Sequence, residues 1–510
     1  MQDNSPRSFA ERPVVAPATT QDALQAAPHL ATAPPAGSDR RVVDAIREIV
    51  GPRGIVDGAS ARKVYECDGY TLEKSVPRLV VLPATTEETS RVVSVLAGAG
   101  IPFVPRGAGT GVSGGCLPLQ SAVMIGTSRL RRIRSIDVEA RTAEVEAGVV
   151  NLEVSRAVDA HGLYYAPDPS SQSACSIGGN VAENSGGPHT LKYGVTVNHV
   201  LALEVVLPDG RVIWLDREYD APGYDLVGIF TGSEGTLGLV TAARVRLMRK
   251  PESVTTLLAV FPGVAQASRA VSAIIAAGII PAALEMMDAL VIEAVEAAYH
   301  FGFPAGAGAV LLIELDGIAA GLDALAARVH DCCTREGASE VKRAAGEEER
   351  ALLWKSRKRA FGAMGRLAPA YCTQDGVVPR SRLPEIVAKI AEVASRYHLR
   401  IANLMHAGDG NIHPLVLYDE DVPGEVERVL AAGNEILTAC IELGGSITGE
   451  HGIGIEKMAL MPKSFTAPTL AAMEDIRTAF NPRGLCNPGK ILPSSRTCVE
   501  VRRPRPRGGG

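Results

Sequence analysis

Apolar and polar positions follow two different patterns along the chain, and the change between them falls near residues 249–253. In the first part, RLVVLP (78–83) has the composition of a buried strand, Thr85 and Glu88 are spaced as a capping box at the start of a helix, and IPFVP (101–105) returns to a strand. This β-α-β start is followed by strand patterns in AVMIG, TAEVEAGV and LALEVVLPDGRVIWL. Three glycine-rich loops separate these strands: 106–115, 166–187 and 231–238.

Beyond Pro251 strand and helix patterns alternate. Strands are predicted in TTLLAVF, PAALEMMD and AVLLIELDG, and helices from Ala265 to Ala277, Ala289 to Tyr299 and Ala319 to Arg335. Such alternation is typical of a helix-backed antiparallel or mixed sheet. The chain is therefore predicted to be an α+β protein with a disordered leader, two domains and a basic disordered tail. Their predicted bounds are 1–38, 39–250, 251–495 and 496–510.

Composition narrows the classes of function. A net charge of −5 and a pI near 6.1 provide no basic surface for nucleic acid, so a nucleic-acid role is not expected. The nine cysteines are scattered without a C-x-x-C pair, which indicates a reducing compartment and no iron–sulfur cluster ligated by this chain. Because no run of about eighteen uncharged apolar residues is present, no transmembrane segment is predicted.

The first glycine loop, PRGAGTGVSGG, formally matches two motifs. Gly109-x-Gly111-x-x-Gly114 fits the dinucleotide fingerprint, and Gly111-x-Ser113-x-Gly115 fits the hydrolase nucleophile elbow. Both motifs need a helix to begin at the loop, whereas CLPLQSAVMIG continues with a proline and a strand. A glycine run after a strand still allows several backbone N–H groups to converge on an anion such as a diphosphate.

The segment HAGDGNIHP places two histidines on either side of a turn-forming cluster. If Gly408–Asn411 forms the turn of a hairpin, His406 faces His413 across the ladder, with Cβ atoms roughly 5 Å apart. That separation suits two ligands of one metal ion. Two histidines at a hairpin edge without a metal are the alternative.

The glycine loops resemble those of a known family. PRGAGTGVSGG is similar to the diphosphate-binding loop of the vanillyl-alcohol-oxidase and para-cresol-methylhydroxylase class of FAD enzymes. The segments at 165–196, TGSEGTLGLVT, LEMMD, HAGDGNIHP, GGSITGEHGIG and NPRGLCNPGK extend this resemblance over roughly residues 40–495. Within the class, the chain is most similar to the branch of FAD-linked glycolate oxidase subunits, D-lactate dehydrogenases and D-2-hydroxyglutarate dehydrogenases. The resemblance implies a two-part FAD-binding domain of the para-cresol-methylhydroxylase type, an α+β substrate domain, and a C-terminal segment that returns to the flavin.

The resemblance also implies which residues bind FAD. The first loop contains no histidine, so a non-covalent cofactor is expected. Residues implied around the diphosphate and the flavin are Arg106, Gly107, Gly109, Thr110, Gly111, Ser113, Pro167, Asp168, Gly178, Gly179, Asn180, Ser185, Gly232, Gly235 and Asn487.

A metal site and a base follow from the same resemblance. Glu450, in TGEHGIG, would join His406 and His413 as the ligands of a divalent metal, with zinc expected, and His451 would be the base. Arg357, in WKSRKRAFG, is implied to bind the substrate carboxylate. The hydroxyglutarate branch tends to carry Asn at the position of Leu415, so a small monoacid is favoured over a dicarboxylate.

The expected reaction is oxidation of a small 2-hydroxy acid, glycolate to glyoxylate or D-lactate to pyruvate, with hydride transfer to flavin N5. The resemblance implies a complex with a second flavin-domain subunit and an iron–sulfur subunit. A cytoplasmic location, with peripheral membrane association through that complex, is expected. A stand-alone D-lactate dehydrogenase, a non-catalytic flavin-fold subunit and a zinc hydrolase are the alternatives, although no H-E-x-x-H motif supports the last.

Overall fold

A computed structural model describes residues 36–118, 121–217 and 223–493. The predicted tail and most of the predicted leader lie outside these residues. A helix begins at Ala36, three residues before the predicted start of the first domain. The first half contains strands β1 Ile55–Val56, β2 Leu79–Val81, β3 Phe103–Arg106, β4 Val123–Gly126, β5 Ile133–Asp137, β6 Thr142–Glu146, β7 Leu163–Tyr164, β8 Val200–Val206, β9 Val212–Asp216, β10 Leu239–Arg246 and β11 Met248–Arg249. Its helices are α1 Ala36–Val50, α2 Ala59–Lys63, α3 Thr86–Ala99, α4 Asn151–Val158, α5 Ile177–Glu183, α6 Thr190–Tyr193 and α7 Leu226–Phe230.

The second half contains strands β12 Ser253–Phe261, β13 Ala283–Asp288, β14 Ala309–Gly317, β15 Glu340–Arg343, β16 Ala370–Thr373, β17 Gly376–Val377, β18 Arg400–His406 and β19 Asn411–Tyr418. Its helices are α8 Val264–Ala276, α9 Ala289–Tyr299, α10 Ala319–Arg335, α11 Glu347–Lys358, α12 Ala360–Ala363, α13 Leu383–Tyr397, α14 Glu425–Glu442, α15 Met461–Ser464 and α16 Ala467–Phe480. The predicted bounds of α9 and α10 are confirmed to the residue.

Two larger sheets and the short β7–β11 pair form the first half. In the order β1-β2-β4-β3, strands β2 and β3 both pair in parallel with β4, so the predicted β-α-β start is confirmed. Helix α3 packs its buried Val92, Val93 and Leu96 into the core of this sheet. Strands β5-β6-β10-β8-β9 form an antiparallel sheet with a separate core.

The start of α3 shows how the sequence sets a helix boundary. The Thr85 side chain accepts a hydrogen bond from the Glu88 backbone N–H at 3.1 Å, as a capping box requires. The Glu88 carboxylate, however, accepts from the Ala84 N–H at 2.7 Å, one residue before the position that the motif predicts. The helix ends at Gly100, whose φ of 67° closes the last turn in the left-handed region.

One large sheet forms the second half, in the order β15-β12-β14-β13-β18-β19-β16, with β17 also paired to β19. All its strands lie beyond residue 252, and every pair is antiparallel. Helices α8, α10, α13 and α14 contribute buried apolar side chains to its main core. The helix-backed sheet predicted from the sequence is thus confirmed, whereas the domain bounds remain a prediction.

The segment after α16 returns to the first half. The Phe103 N–H donates to Leu485 O at 2.8 Å, and the Asn487 N–H donates to Phe103 O at 2.8 Å. Farther along, Lys490 Nζ donates to Leu117 O at 2.8 Å. These contacts confirm the predicted return of the C-terminal segment to the FAD-binding half.

The hairpin of β18 and β19 corrects the predicted register. His406 pairs with Asn411, and His413 pairs with Leu404, so the turn is Ala407–Gly410 and the predicted His406–His413 pairing is wrong. The error is two positions in the pairing, which leaves both histidines on the same face because side chains alternate along a strand. Among the described residues, no helix is long and apolar enough to cross a bilayer.

Candidate active site

A cavity of about 860 Å³ lies where the glycine loops of the first half meet the second half. Glu450 and His451 form part of its wall, together with Lys358 and Phe361 from the α11–α12 region. Predicted FAD residues on the wall are Arg106, Gly107, Gly109, Thr110, Gly111, Gly178, Gly179, Asn180, Ser185 and Gly235. The cavity therefore joins the expected cofactor residues to the expected base.

The other five predicted FAD residues do not line the cavity. Asn487 Nδ2 donates to the backbone oxygens of Gly115 and Glu234 at 2.9 and 2.6 Å. Asp168 pairs with His189, with 2.7 Å between Oδ2 and Nδ1. The remaining three, Ser113, Pro167 and Gly232, also do not line the cavity.

The first glycine loop has the close backbone approach that a diphosphate needs. Gly109 has a φ of 73°, and a Cβ there would lie 2.1 Å from Arg106 Nη2. A Cβ on Gly107 would lie 2.5 Å from Ser176 Oγ. Since no helix follows this loop before β4, the backbone itself lines the cavity. These features fit FAD bound through the loop.

The second glycine loop contains a helix that the sequence pattern did not predict. Ser176 caps α5, because its Oγ accepts from the Gly179 N–H at 3.3 Å. Gly178 allows this turn to pack tightly, since a Cβ there would lie 2.7 Å from the Ala147 Cβ. The short helix brings Gly178, Gly179 and Asn180 to the cavity wall.

Two buried carboxyl groups, Glu183 and Glu234, also line the cavity and were missed in the sequence. Burial raises the pKa of both groups, and for Glu183 the neighbouring Glu234 raises it further. Glu183 Oε2 has no hydrogen-bond partner among the described residues. A protonated Glu183 leaves this wall less negative beside an anionic cofactor.

The three expected metal ligands converge on one point. Glu450 Oε1 lies 3.2 Å from His406 Nε2 and 3.3 Å from His413 Nε2. In tetrahedral zinc sites with bonds of about 2.0–2.1 Å, neighbouring ligand atoms lie about 3.3 Å apart. The two imidazole rings are perpendicular, with centroids 5.1 Å apart. The donor set and its spacing thus fit a divalent ion.

Glu285 orients the first of these ligands. It lies opposite His406 in the β13–β18 pair, and its oxygens are 2.8 and 3.0 Å from His406 Nδ1. Such a contact leaves Nε2 for the metal and fixes the ring. Sequence reasoning missed this role, because the pairing joins residues 121 positions apart.

Arg357 lies on the other side of Glu285. Its Nε is 2.6 Å from Glu285 Oε2, both side chains are 1% exposed, and Arg357 Nη2 has no hydrogen-bond partner among the described residues. The predicted carboxylate-binding residue is therefore next to the ligand set but is not part of the cavity wall. Lys358, its neighbour, is on that wall.

The contacts among the expected metal ligands and Glu285 shift the pKa values of His406 and Glu450. Burial disfavours the charged imidazole, but Glu285 and Glu450 raise the pKa of His406 to about 10. Burial also disfavours ionised Glu450, yet His406 and His413 hold the pKa of its carboxyl well below the ordinary value. Glu450 is therefore ready to act as an ionised ligand, whereas a metal ion would have to displace a proton from His406 Nε2.

His451 is placed beside this set. Its ring stacks on His413 with centroids 4.9 Å apart, and its Nε2 lies 3.8 Å from Glu450 Oε1. Burial lowers the pKa of His451 to about 4, so the imidazole is neutral near pH 7 and can accept a proton. The structure thus brings together His406, His413, Glu450 and His451.

Comparison with known proteins shows the family and the fold of the chain. Residues 77–216 match the family described as FAD binding domain, and residues 250–491 match FAD linked oxidases, C-terminal domain. The chain is 47% identical over 460 residues to the glycolate oxidase subunit GlcD of Escherichia coli K12, covering 90% of this chain and 92% of the relative. It is 31% identical over 437 residues to the D-lactate dehydrogenase of Archaeoglobus fulgidus, covering 83% and 96%. The structure of p-cresol methylhydroxylase with substrate bound superposes with a TM-score of 0.77 at 18% identity, covering 90% of this chain and 98% of that one.

Proposed function

Because the chain belongs to the family of FAD-linked oxidases, and is therefore an FAD-dependent oxidoreductase, we propose that it oxidises glycolate to glyoxylate. The observation that supports this proposal most directly is that Glu450 and His451 lie on the wall of the same cavity as the glycine loops. One volume could then hold the flavin and the substrate hydroxyl beside Glu450 and the base His451.

The chain's part in the reaction is to bind, orient and accept a proton. When bound, FAD supplies a two-electron acceptor, and a divalent ion supplies a Lewis acid that lowers the pKa of a coordinated hydroxyl. The first glycine loop holds the diphosphate, and His406, His413 and Glu450 hold the ion. His451 accepts the hydroxyl proton at Nε2, the nitrogen that faces Glu450.

Arg357 supports binding of the substrate carboxylate. Its Nη2 is a buried donor without a partner among the described residues, and a buried unpaired donor is costly unless a ligand satisfies it. Lys358 on the cavity wall adds a second positive charge on the same side. Leu415 of β19 is fully buried in an apolar cluster and provides no polar group for a second carboxylate, consistent with a small monoacid.

The relative in Escherichia coli is named as a subunit, which supports a multi-subunit complex for this chain. We propose a second flavin-domain subunit and an iron–sulfur subunit as its partners, which carry electrons onward. Through that complex the protein would associate peripherally with a membrane.

The test is an anaerobic half-reaction. The purified protein, loaded with FAD and a divalent metal, is mixed separately with glycolate, D-lactate, L-lactate and D-2-hydroxyglutarate, and bleaching of the visible flavin band is followed. Glycolate is expected to bleach the band fastest, with loss of bleaching on chelation and in His451→Ala.

Each other outcome has a defined meaning. Preferential bleaching by D-lactate would replace the glycolate proposal with the stand-alone D-lactate dehydrogenase, which the Archaeoglobus fulgidus relative favours. A flavin that no hydroxy acid bleaches would overturn the substrate class. Bleaching that survives chelation would overturn the role of the metal.

A further inference from the structure

The loop that carries Glu450 and His451 is held by side-chain acceptors at every backbone N–H from residue 449 to 454. Asp375 Oδ2 accepts from residues 449, 450 and 451 at 2.9, 3.2 and 2.9 Å. Thr448 Oγ1 accepts from residue 452 at 3.0 Å. Glu234 accepts from residues 453 and 454 at 2.6 and 2.8 Å, one at each carboxylate oxygen. Hydrogen bonds to two buried carboxylates, Asp375 at one end and Glu234 at the other, therefore hold this loop in place.

The two carboxylates come from different halves of the protein. Glu234 belongs to the third glycine loop of the FAD-binding half and is itself on the cavity wall. Asp375 lies between β16 and β17 of the large sheet and is fully buried. The positions of Glu450 and His451 thus depend on the relative placement of the flavin cavity and the sheet that carries His406 and His413.

The Glu234 backbone is adapted to this contact. Its φ is 49°, in the left-handed region that a non-glycine residue adopts infrequently. Its N–H donates to Ala182 O at 2.8 Å, which ties the conformation to the end of α5. A conformation of this kind persists only where the surroundings hold it, here with both carboxylate oxygens directed at the loop.

The glycines of TGEHGIG allow the acceptors to approach. A Cβ on Gly452 would lie 2.3 Å from Glu183 Oε2 and 2.8 Å from Glu234 Oε1. A Cβ on Gly454 would lie 2.0 Å from Ser113 O. The motif therefore encodes a loop whose two glycines leave no room for a Cβ beside Glu183, Glu234 and the Ser113 backbone.

We propose that Glu234 is a positioning residue that fixes Glu450 and His451 against the flavin cavity, with Asp375 as its counterpart on the sheet. This inference rests on the proposed function, in which Glu450 is a metal ligand and His451 the base. Loss of the Glu234 contact leaves the ligand atoms chemically unchanged but frees residues 453 and 454, so the segment that carries Glu450 and His451 is held on the Asp375 side alone. Metal affinity then falls, although no ligand has been removed.

The experiment measures Co²⁺ binding to FAD-saturated, metal-stripped protein by calorimetry. Glu234→Ala is expected to weaken Co²⁺ binding about 10- to 100-fold, the range typical of groups that orient metal ligands. Glu234→Gln keeps the shape and one acceptor oxygen, so an intermediate loss is expected and folding is preserved. Glu146→Gln is the matched control, because Glu146 is buried like Glu234, with 1% against 5% exposed, but pairs with Arg132 on the second sheet.

Hydrogen exchange gives a second readout on the same proteins. In Glu234→Gln, the amides of residues 453 and 454 are expected to exchange faster, while those of 449–451 remain protected by Asp375. Asp375→Asn is expected to give the reverse pattern. A general loss of stability would instead raise exchange across the whole loop and the surrounding sheet.

The outcomes separate the two proposals. Wild-type protein that binds no Co²⁺ would overturn the metal site, and the exchange pattern would still decide whether Glu234 orders the loop. Wild-type affinity in Glu234→Ala, or an equal loss in Glu146→Gln, would overturn the positioning role while the metal site stands. Uniform exchange in Glu234→Gln would overturn it as well.

Discussion

Replacing Glu285 with alanine removes the shared partner of two buried cationic groups. Glu285 contacts Arg357 Nε at 2.6 Å and His406 Nδ1 at 2.8 Å, and its own side chain is 1% exposed. Burial disfavours the ionised carboxyl, but Arg357 and His406 keep the pKa of Glu285 below its ordinary value. The carboxylate is therefore charged in the folded protein, and its removal leaves Arg357 as a buried charge without a counter-ion.

The expected loss of stability follows from that uncompensated charge. Removing one partner of a buried ion pair costs about 3–5 kcal/mol. For a domain of this size, each kcal/mol lowers the melting temperature by about 2–4 °C, so Glu285→Ala is expected to melt roughly 6–20 °C below wild type. His406 also loses the acceptor at Nδ1, so metal affinity is expected to fall about 10- to 100-fold.

A double-mutant cycle distinguishes the ion pair from a simple packing defect. Thermal melting is measured for Glu285→Ala, Arg357→Met and the double variant, each with FAD and without metal. The double variant is expected to melt higher than Glu285→Ala, because it no longer buries an unpaired cation. If Glu285→Ala melts within about 2 °C of wild type, or if the double variant melts lower than Glu285→Ala, the reasoning from the buried charge is wrong.

Three further predictions test other parts of the site. Gly109→Ala is expected to weaken FAD binding about 10-fold or more, measured by flavin fluorescence, because the φ of Gly109 is 73° and the new Cβ would lie 2.1 Å from Arg106 Nη2. Gly98→Ala is the control and should bind FAD as wild type does, because a Cβ at Gly98 would meet nothing within 4 Å. Burial disfavours charged His189, but Asp168 and Glu314 raise its pKa to about 10. Its ion pairs therefore stabilise the fold fully below about pH 6.5, and this contribution is lost as the pH rises through 10. His189→Gln should therefore melt below wild type at pH 7, by about 1–2 kcal/mol in stability, with a difference that narrows progressively as the pH rises from about 6.5 to 10; a constant difference would contradict the assignment. Chelation should abolish flavin reduction by hydroxy acids while leaving the visible flavin spectrum in place, and an equal loss of bound flavin would show that the metal serves folding instead.

The elements of the fold could be predicted where the signal is local. The apolar periodicity of 289–299 and 319–335 set both helices to the residue, and the glycine after α3 set its end, because these patterns are determined within a few turns of chain. The hairpin register was missed by two positions. Asn411 is drawn into β19, where its side chain donates to Asp375 at 2.7 Å, and no local signal encodes a partner 36 residues away.

The sequence could predict only those site residues that lie within a recognisable motif. HAGDGNIHP and TGEHGIG identified four residues that the structure brings together, since each motif keeps its own residues close. Glu285, Asp375 and Glu234 could not be identified in this way, because each acts through strand pairing or loop packing between distant segments. Glu234 and Glu285 lie in TGSEGTLGLVT and LEMMD, which belong to the family resemblance, but no spacing pattern in the sequence singles out any of the three carboxylates.

The return of residues 485–490 to the first half has a consequence for biosynthesis. Phe103 lies at the start of the strand that leads into the first glycine loop. Its backbone forms hydrogen bonds with Leu485 and Asn487, and Lys490 Nζ donates to Leu117 O just beyond that loop. A ribosome translates these partners more than 350 residues after the loop itself. During translation, the FAD-binding half therefore lacks these contacts beside its first glycine loop until nearly all of the second half has been synthesised. Cofactor capture becomes a late event, and a chain that stops early is left without the contacts that close its flavin site.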